Sequence, residues 1–193
     1  MSDPIEVLDF WLGELGEAGW YAGTAEIDEM IRDRFGDLWQ AAHDDGLEHW
    51  VDGPAASLAY LIVTDQFPRN LWRGDGRSFA TDAKGRAAAH KAIEAGWDME
   101  VPEPARQFFY LPFMHSEELA DQEYCIGLMD ERMPETGASN QLHARAHTEI
   151  IRRFGRFPYR NAAFSRETTP EEQAFLDAGG YMSVVNELKP AEG

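Results

Sequence analysis

Two similar segments, far apart in the sequence, carry the arginine and asparagine side chains best suited to chemistry. They are Phe67-Pro68-Arg69-Asn70 and Phe157-Pro158-Tyr159-Arg160-Asn161, and the second has one additional residue. A residue before proline is biased away from the helical conformation, and proline lacks an N–H donor, so each segment is predicted to end a helix and begin a turn. A guanidinium and an amide held in such a turn can together bind an anion or a carboxylate.

Further arginines surround both segments, although the chain as a whole has a net charge of −18. This local enrichment predicts that the two segments meet around a small anionic ligand, since donors fixed in turns lose little entropy on binding. The predicted ligand-binding residues are Asp65, Arg69, Asn70, Arg73, His147, Arg156, Arg160 and Asn161. The alternative is that the arginines pair with carboxylates, as Arg69 would with Asp65, and only tie the turns to the core.

A histidine and a glutamate near the start of a predicted helix suggest acid–base chemistry. If the helix that Ser116 would cap begins early, His115, Glu118 and Gln122 share one face of it. A carboxylate there would orient the imidazole as a general base. His115 and Glu118 are therefore the candidate catalytic residues.

Metal binding is an alternative use of the histidines. His143 and His147 lie four residues apart on a predicted helix and could join His115 and Glu118 around zinc or iron. The sequence has no His-Glu-x-x-His motif and no cysteine cluster. Histidines that form only structural hydrogen bonds are the third possibility. No metal site and no cofactor is predicted.

These residues must be positioned by helices. Apolar residues recur at spacings of three and four along most of the chain, which predicts an all-helical protein without a sheet. Ser2 or Asp3 is a candidate cap for a first helix in which Ile5, Leu8 and Leu12 fall on one apolar face, with Phe10 and Trp11 nearby. Seven or eight helices joined by short loops predict antiparallel hairpins, arranged as a bundle or an irregular solenoid, in a single domain over residues 1–193.

Three later elements have predicted boundaries. The apolar run Leu58–Val63 is expected to be a buried helix, with a strand as the alternative. A helix is predicted from Ser116 to about Met133. The last predicted helix ends at Asp177, where Gly179 and Gly180 close it.

Composition restricts the partners and the location of the protein. Asp and Glu number 35 against 17 Lys and Arg, so neither nucleic acid nor an anionic membrane is expected as a partner. The single cysteine, Cys125, excludes an intrachain disulfide, and a buried, inert thiol is expected. No apolar run approaches the roughly 18 residues of a membrane-spanning helix. We therefore predict a cytoplasmic protein whose partner is a small anionic molecule, or else a protein or peptide.

The chain also resembles a known family. It is similar to the bacterial family catalogued as domain of unknown function 924, which is placed among tetratricopeptide-like helical proteins. The motifs that carry the resemblance are Val7-Leu8-Asp9-Phe10-Trp11, Trp20-Tyr21, Arg34-Phe35, Asp65-Gln66-Phe67-Pro68-Arg69-Asn70, Phe79-Ala80-Thr81-Asp82, Leu111-Pro112-Phe113-Met114-His115-Ser116-Glu117, and Arg153-Phe154-Gly155-Arg156-Phe157-Pro158-Tyr159-Arg160-Asn161. The chain departs from the family pattern at Tyr159, where histidine is usual, and at Phe164-Ser165-Arg166, where Leu-Gly-Arg is usual.

The resemblance implies an all-helical, tetratricopeptide-like fold and brings no activity, substrate or cofactor with it. Two hypotheses about function follow from the residues. The first is a pocket for a small anionic ligand between the Arg-Asn segments, with acid–base groups at His115 and Glu118. The second is a tetratricopeptide-like interaction module without catalytic activity, in which the Arg-Asn segments are structural clamps.

Overall fold

Helices account for the regular structure of the protein. A computed structural model describes residues 3–189, and none of these residues lies in a strand. The α-helices are α1 (Pro4–Leu8), α2 (Gly16–Trp20), α3 (Ala25–His43), α4 (Pro54–Leu61), α5 (Phe67–Leu71), α6 (Asp82–Glu94), α7 (Leu111–Met114), α8 (Leu119–Arg132), α9 (Ala138–Phe154), α10 (Pro170–Asp177) and α11 (Gly180–Leu188). Asp9–Leu15 and Ile62–Gln66 are π-helical. Short 3₁₀ turns occupy Glu48–Trp50, Gly76–Phe79, Trp97–Glu100, Ala105–Phe109 and Pro158–Arg160.

The all-helical prediction is confirmed, but the number of helices is not. Residues 3–189 contain more helical segments than the seven or eight predicted, because π-helical turns divide longer helices and α11 was not anticipated. The chain folds as two compact units, Met1–Pro112 and Phe113–Gly193. Antiparallel hairpins, a solenoid and a single domain stay predictions. Within the described residues, no helix combines the length and the apolar character needed to cross a bilayer.

The first helix has the predicted cap but buries a different face from the one predicted. Asp3 caps α1 as predicted, since its Oδ1 accepts a hydrogen bond from the Glu6 amide at 3.0 Å, and Ser2, the other candidate, lies outside the described residues. The predicted buried face is wrong, because Ile5 is 65% exposed while Val7 is fully buried. Both residues precede the π-helical segment, so the error lies in the predicted orientation of α1 about its axis; the extra residue of the π-helical turn shifts the angular phase only after Leu8.

Aromatic rings form the core of the first unit. Phe10 and Phe35 have ring centroids 5.1 Å apart, and Phe35 stacks on Phe67 at 4.9 Å. All three rings are buried. They join the segment after α1 to α3 and to α5, so the first Arg-Asn segment is anchored in the core by its own phenylalanine.

The first Arg-Asn segment does not end a helix. The run Leu58–Val63 is helical and buried, as predicted, and the chain continues through π-helical Ile62–Gln66 directly into α5. Phe67 keeps helical dihedral angles (φ −55°, ψ −42°), so the predicted turn at this position is wrong. Pro68 is tolerated because it lies in the first turn of α5, where its missing N–H is not required.

The second unit is built around α9. Helix α9 packs against α8 and α11, and buried side chains of α9, α10 and α11, including Ile150, Phe175 and Val184, form its core with Phe157. Helix α8 begins at Leu119, three residues later than predicted from Ser116. Helix α10 ends at Asp177 as predicted, but it is not the last helix, because Gly179 and Gly180, with φ of 105° and 54°, turn the chain into α11.

Truncating Phe35 tests the aromatic core. We expect Phe35→Ala to lower the free energy of unfolding by about 3–5 kcal/mol, because the cavity would remove contacts with two neighbouring rings. Met30, on the same helix and 42% exposed, provides the control, and Met30→Ala should change stability by less than about 0.5 kcal/mol. Urea unfolding followed by circular dichroism measures both. Equal losses for the two variants would contradict the proposed core.

Candidate functional site

Arg69 is held on three sides inside the first unit. Its Nη2 lies 2.8 Å from Asp82 Oδ1 and 3.4 Å from Asp65 Oδ1, and its Nη1 donates to the Ser78 carbonyl. The guanidinium lies over the ring of Phe79, 4.8 Å from its centre. Asp65 is 1% exposed and requires a cationic partner to remain charged there. The expected pairing of Arg69 with Asp65 is present, and Asp82 is an additional and closer partner.

Asn70 and Arg73 bind one carboxylate of α3. Asn70 Nδ2 donates to Asp28 Oδ1 at 2.8 Å, and Arg73 donates to both Asp28 oxygens at 2.6 and 2.9 Å. Burial opposes ionisation of Asp28, but the hydrogen bonds from Arg73 and Asn70 outweigh it and lower the pKa of Asp28 below its usual value. This carboxylate fastens the segment after α5 to α3.

Glu172 occupies the corresponding position in the second unit. Arg156 donates to both Glu172 oxygens at 2.6 and 2.8 Å, and Asn161 Nδ2 donates to Oε2 at 3.1 Å. The Thr169 amide also donates to Oε2, and Thr169 Oγ1 accepts from the Glu172 amide, which completes a capping box at the start of α10. The hydrogen bond from Arg156 is the main cause that lowers the pKa of Glu172 to about 2.

The sequence similarity of the two segments therefore extends to their contacts. In each, the asparagine and a nearby arginine bind one carboxylate. Arg160 behaves as Arg69 does, because its Nη1 donates to a backbone carbonyl, that of His115 at 2.9 Å, and its guanidinium lies 4.4 Å from the centre of the Phe157 ring. Only the second segment follows a helix end, since Phe157 is extended (φ −91°, ψ 105°) and Gly155 ends α9 with φ 67°.

The predicted helix face with His115 and Glu118 does not form. Helix α8 begins at Leu119, so His115 precedes it and Glu118 is its exposed N-terminal flanking residue. The side chain of Gln122 donates to the carbonyls of the preceding loop, including that of Met114 at 2.6 Å. The acid–base pairing expected between His115 and Glu118 thus lacks the shared helix face on which it depended.

Glu117, rather than Glu118, is the engaged carboxylate of this loop. It accepts two hydrogen bonds from Arg166, at 2.7 and 3.0 Å, and one from the Phe157 amide at 2.9 Å. Burial acts against its charge, but these donors lower its pKa. Glu117 therefore connects the loop before α8 to the second Arg-Asn segment.

His147 lies at the centre of a group of rings in the second unit. Its ring centroid is 4.8 Å from that of Tyr181, 5.3 Å from Phe157 and 6.4 Å from His115. Burial lowers the pKa of His147 to about 3, and the nearby charges of His115 and Arg160 act in the same direction. His147 is therefore neutral at physiological pH.

The same region offers few ligands for a metal ion. Within residues 3–189, no group of three or more His, Cys, Asp or Glu side chains is placed to hold one. The alternative in which His115, His143, His147 and Glu118 surround zinc or iron therefore has no ligand set in this part of the chain. Cys125 is fully buried as expected, and burial raises the pKa of its thiol.

Apart from Asp65, the acceptors of the arginines were not identified from the sequence. In the first unit, Arg69 contacts Asp65 and Asp82, and Asn70 and Arg73 both bind Asp28. In the second unit, Arg156 and Asn161 both bind Glu172, and Arg166 binds Glu117. Only Glu172 carries a recognisable signal, since Thr169-Pro170-Glu171-Glu172 has the spacing of a capping box.

The lowered pKa of Glu172 predicts how its contribution to stability depends on pH. A carboxyl whose pKa falls from 4.5 to about 2 on folding stabilises the protein above pH 4.5, and the stabilisation disappears as the pH falls towards 2. Glu172→Gln should therefore lower the melting temperature at pH 7 by about 2–4 °C. The difference from the wild type should shrink between pH 5 and about 2.5.

Glu171→Gln, one residue earlier and exposed, is the control. It should show no comparable pH-dependent difference. Thermal unfolding at a series of pH values measures both variants, and a deficit in Glu172→Gln that stays constant down to about pH 2.5 would contradict the assigned ion pair.

Comparison with known proteins agrees with the motifs in the sequence. A solved structure described as a protein of unknown function from Agrobacterium tumefaciens is 40% identical to the chain, and the match covers 91% of this chain and 97% of that one with a TM-score of 0.85. No curated protein matches. The family model described as bacterial protein of unknown function (DUF924) matches residues 7–180. The chain therefore belongs to the bacterial DUF924 family of proteins of unknown function.

Proposed function

We propose that the unit Phe113–Gly193 binds a small anionic molecule beside His147, and that His147 accepts a hydrogen bond or a proton from it. The observation that carries the proposal is the 2.8 Å contact between His147 Nδ1 and the His143 carbonyl. A carbonyl oxygen only accepts, so Nδ1 carries the hydrogen and Nε2 of the neutral ring has a lone pair. Nε2 has no hydrogen-bond partner within residues 3–189.

The electrostatic surroundings of His147 favour an anionic ligand. Arg160 is 7% exposed and is held rigidly by the His115 carbonyl and the face of Phe157. A fixed buried cation close to an uncharged imidazole attracts an anion without a reorganisation cost. The low pKa of His147, which arises first from burial, keeps the ring available as an acceptor at neutral pH. In this proposal His115 is the second acid–base candidate.

Aromatic side chains provide the apolar part of the proposed site. Tyr159 stacks on Phe157 with centroids 5.3 Å apart and lies 6.3 Å from Tyr181. Tyr159 is 40% exposed, so its outer face is accessible to a ligand. Rings arranged in this way contact the carbon skeleton of a small molecule while the charged groups orient it.

We assign the other residues of the Arg-Asn segments to structure. Arg69, Arg73 and Arg156 each have a carboxylate partner within hydrogen-bond distance. Binding a ligand anion through them would leave Asp82, Asp28 or Glu172 without its cation, which is costly where the carboxylate is buried. They therefore hold the loops that carry the ring cluster and the core of the first unit.

A second candidate function is a tetratricopeptide-like interaction module that binds a protein or peptide. The observation that favours it is that Arg69, Arg73 and Arg156 are paired with carboxylates, so that they act as structural clamps. Apolar side chains of the second unit that are 40–50% exposed supply the contact area, namely Tyr159, Phe164, Met182 and Leu188. This candidate predicts no stabilisation of the protein by small anions.

The first proposal predicts that small hydroxy acids and phosphate stabilise the protein. With L-malate, citrate and inorganic phosphate as probes, we expect at least one to raise the melting temperature by about 5 °C at saturating concentration. His147→Gln should abolish the shift because it removes the imidazole acceptor, and Arg160→Lys should reduce it because the lysine keeps the charge but loses the planar guanidinium. Differential scanning calorimetry measures the effect.

His49→Gln is the matched control, because His49 is exposed and belongs to the other unit. It should respond as the wild type does. If none of the probes shifts the wild type, or if correctly folded His147→Gln and Arg160→Lys proteins respond in full, the proposed site is wrong. Imidazole ¹⁵N spectra of the wild type add an independent check, since the bound anion should perturb the Nε2 resonance of His147 and leave that of His49 unchanged.

A further inference from the structure

A cleft in the first unit is lined by none of the candidate site residues discussed above. It has a volume of about 300 Å³ and is formed by α4, α6 and the segment that joins α3 to α4. Its lining includes Asp45, Glu48, Val51, Tyr60, Lys84 and Lys91, together with alanine methyl groups of α6. A volume at the lower end of the range for ligand pockets suits a molecule of few atoms.

Tyr60 is the buried polar group of this cleft. The residue is 4% exposed, yet its hydroxyl makes no hydrogen bond within residues 3–189. Its backbone carbonyl, by contrast, accepts a hydrogen bond from Thr64. Burial, followed by the charges of Glu48 and Asp45, raises the pKa of Tyr60, so the hydroxyl keeps its proton. The hydroxyl oxygen itself reaches the surface of the cleft, so it can donate a hydrogen bond to a ligand that binds there.

The two lysines of the cleft differ in how many donors they have left. Lys84 donates to the carbonyls of Ala42 and His43 and to Asp45 Oδ1, which uses its three N–H groups. Lys91 donates to the Val51 carbonyl alone. Two N–H groups of Lys91 are therefore without an acceptor among the described residues, and they can bind a carboxylate.

Glu48 supplies the opposite charge. It is exposed at the cleft and has no ion pair within the described part of the chain, whereas Asp45 is already engaged by Lys84. The groups open to a ligand are thus one ammonium, one carboxylate and one neutral hydroxyl. Their formal charges cancel, so a ligand with a single charge would leave one side of the cleft unpaired. A zwitterion pairs with both.

We propose that this cleft binds a free α-amino acid with a small aliphatic side chain. The ligand carboxylate would pair with Lys91, its ammonium with Glu48, and the Tyr60 hydroxyl would donate to the carboxylate. Val51 and the alanine methyl groups would contact the side chain. The site is separate from the one proposed around His147, and either can fail without the other.

The test compares L-leucine with two analogues that each lack one charge. Isothermal titration of the intact protein should show one saturable site for L-leucine. Both 4-methylpentanoate, which has no ammonium, and 3-methylbutylamine, which has no carboxylate, should bind at least about tenfold more weakly. Tyr60→Phe and Lys91→Gln should each weaken L-leucine binding by about tenfold or more.

Lys189→Gln, which removes a lysine of the other unit, is the control and should leave the affinity unchanged. Lys91 is exposed, so its substitution does not threaten folding even if Tyr60→Phe proves unstable. Absence of L-leucine binding up to about 10 mM would overturn the proposal. Equal affinity for 4-methylpentanoate would overturn the zwitterion assignment, and full affinity in Lys91→Gln would overturn the location.

Discussion

The pairing of arginines with buried carboxylates is the interaction on which both units depend. Asp65 and Glu172 are 1% and 3% exposed, and a carboxylate so far from water is stable only with a cation and several hydrogen bonds around it. In a chain with 35 acidic and 17 basic residues, cations are the scarcer partner. Arg69 and Arg156 are placed on these two buried carboxylates, where a cation contributes most, while other arginines such as Arg77 pair with exposed carboxylates.

The same solution appears twice. In each unit an asparagine and a neighbouring arginine hold one carboxylate, Asp28 or Glu172, and the arginine of the Arg-Asn pair binds a carbonyl and covers a phenylalanine ring. The backbones differ, because the first segment continues a helix and the second follows a helix end. The two Arg-Asn segments therefore share their side-chain contacts although their backbone conformations differ. Groups that remain uncommitted, such as His147 Nε2 and the Tyr60 hydroxyl, are the ones that suggest ligands.

The sequence predicted elements whose signals are local. Capping at Asp3 and the buried helical run Leu58–Val63 follow from residues a few positions apart, and both are present. The predicted buried face of the first helix was wrong because it was placed at the wrong angle around α1. The predicted turn at Phe67 was wrong because Pro68 lies in the first turn of α5, where its missing N–H does not interrupt the helix. Most partners of the arginines could not be predicted from the sequence, for a different reason. Arg73 and Asp28 are 45 positions apart, and a single sequence does not report contacts at that separation.

The proposed reassignment of Arg69, Arg73 and Arg156 from ligand binding to structure is the central claim, and a double-mutant cycle on Arg69 and Asp82 tests it most directly. Urea unfolding of the wild type, Arg69→Met, Asp82→Asn and the double variant gives the coupling energy between the two side chains. Their 2.8 Å contact, with side chains 22% and 11% exposed, predicts a coupling of about 1.5–3 kcal/mol. A coupling below about 0.5 kcal/mol would show that the pair does not support the fold and would contradict the account.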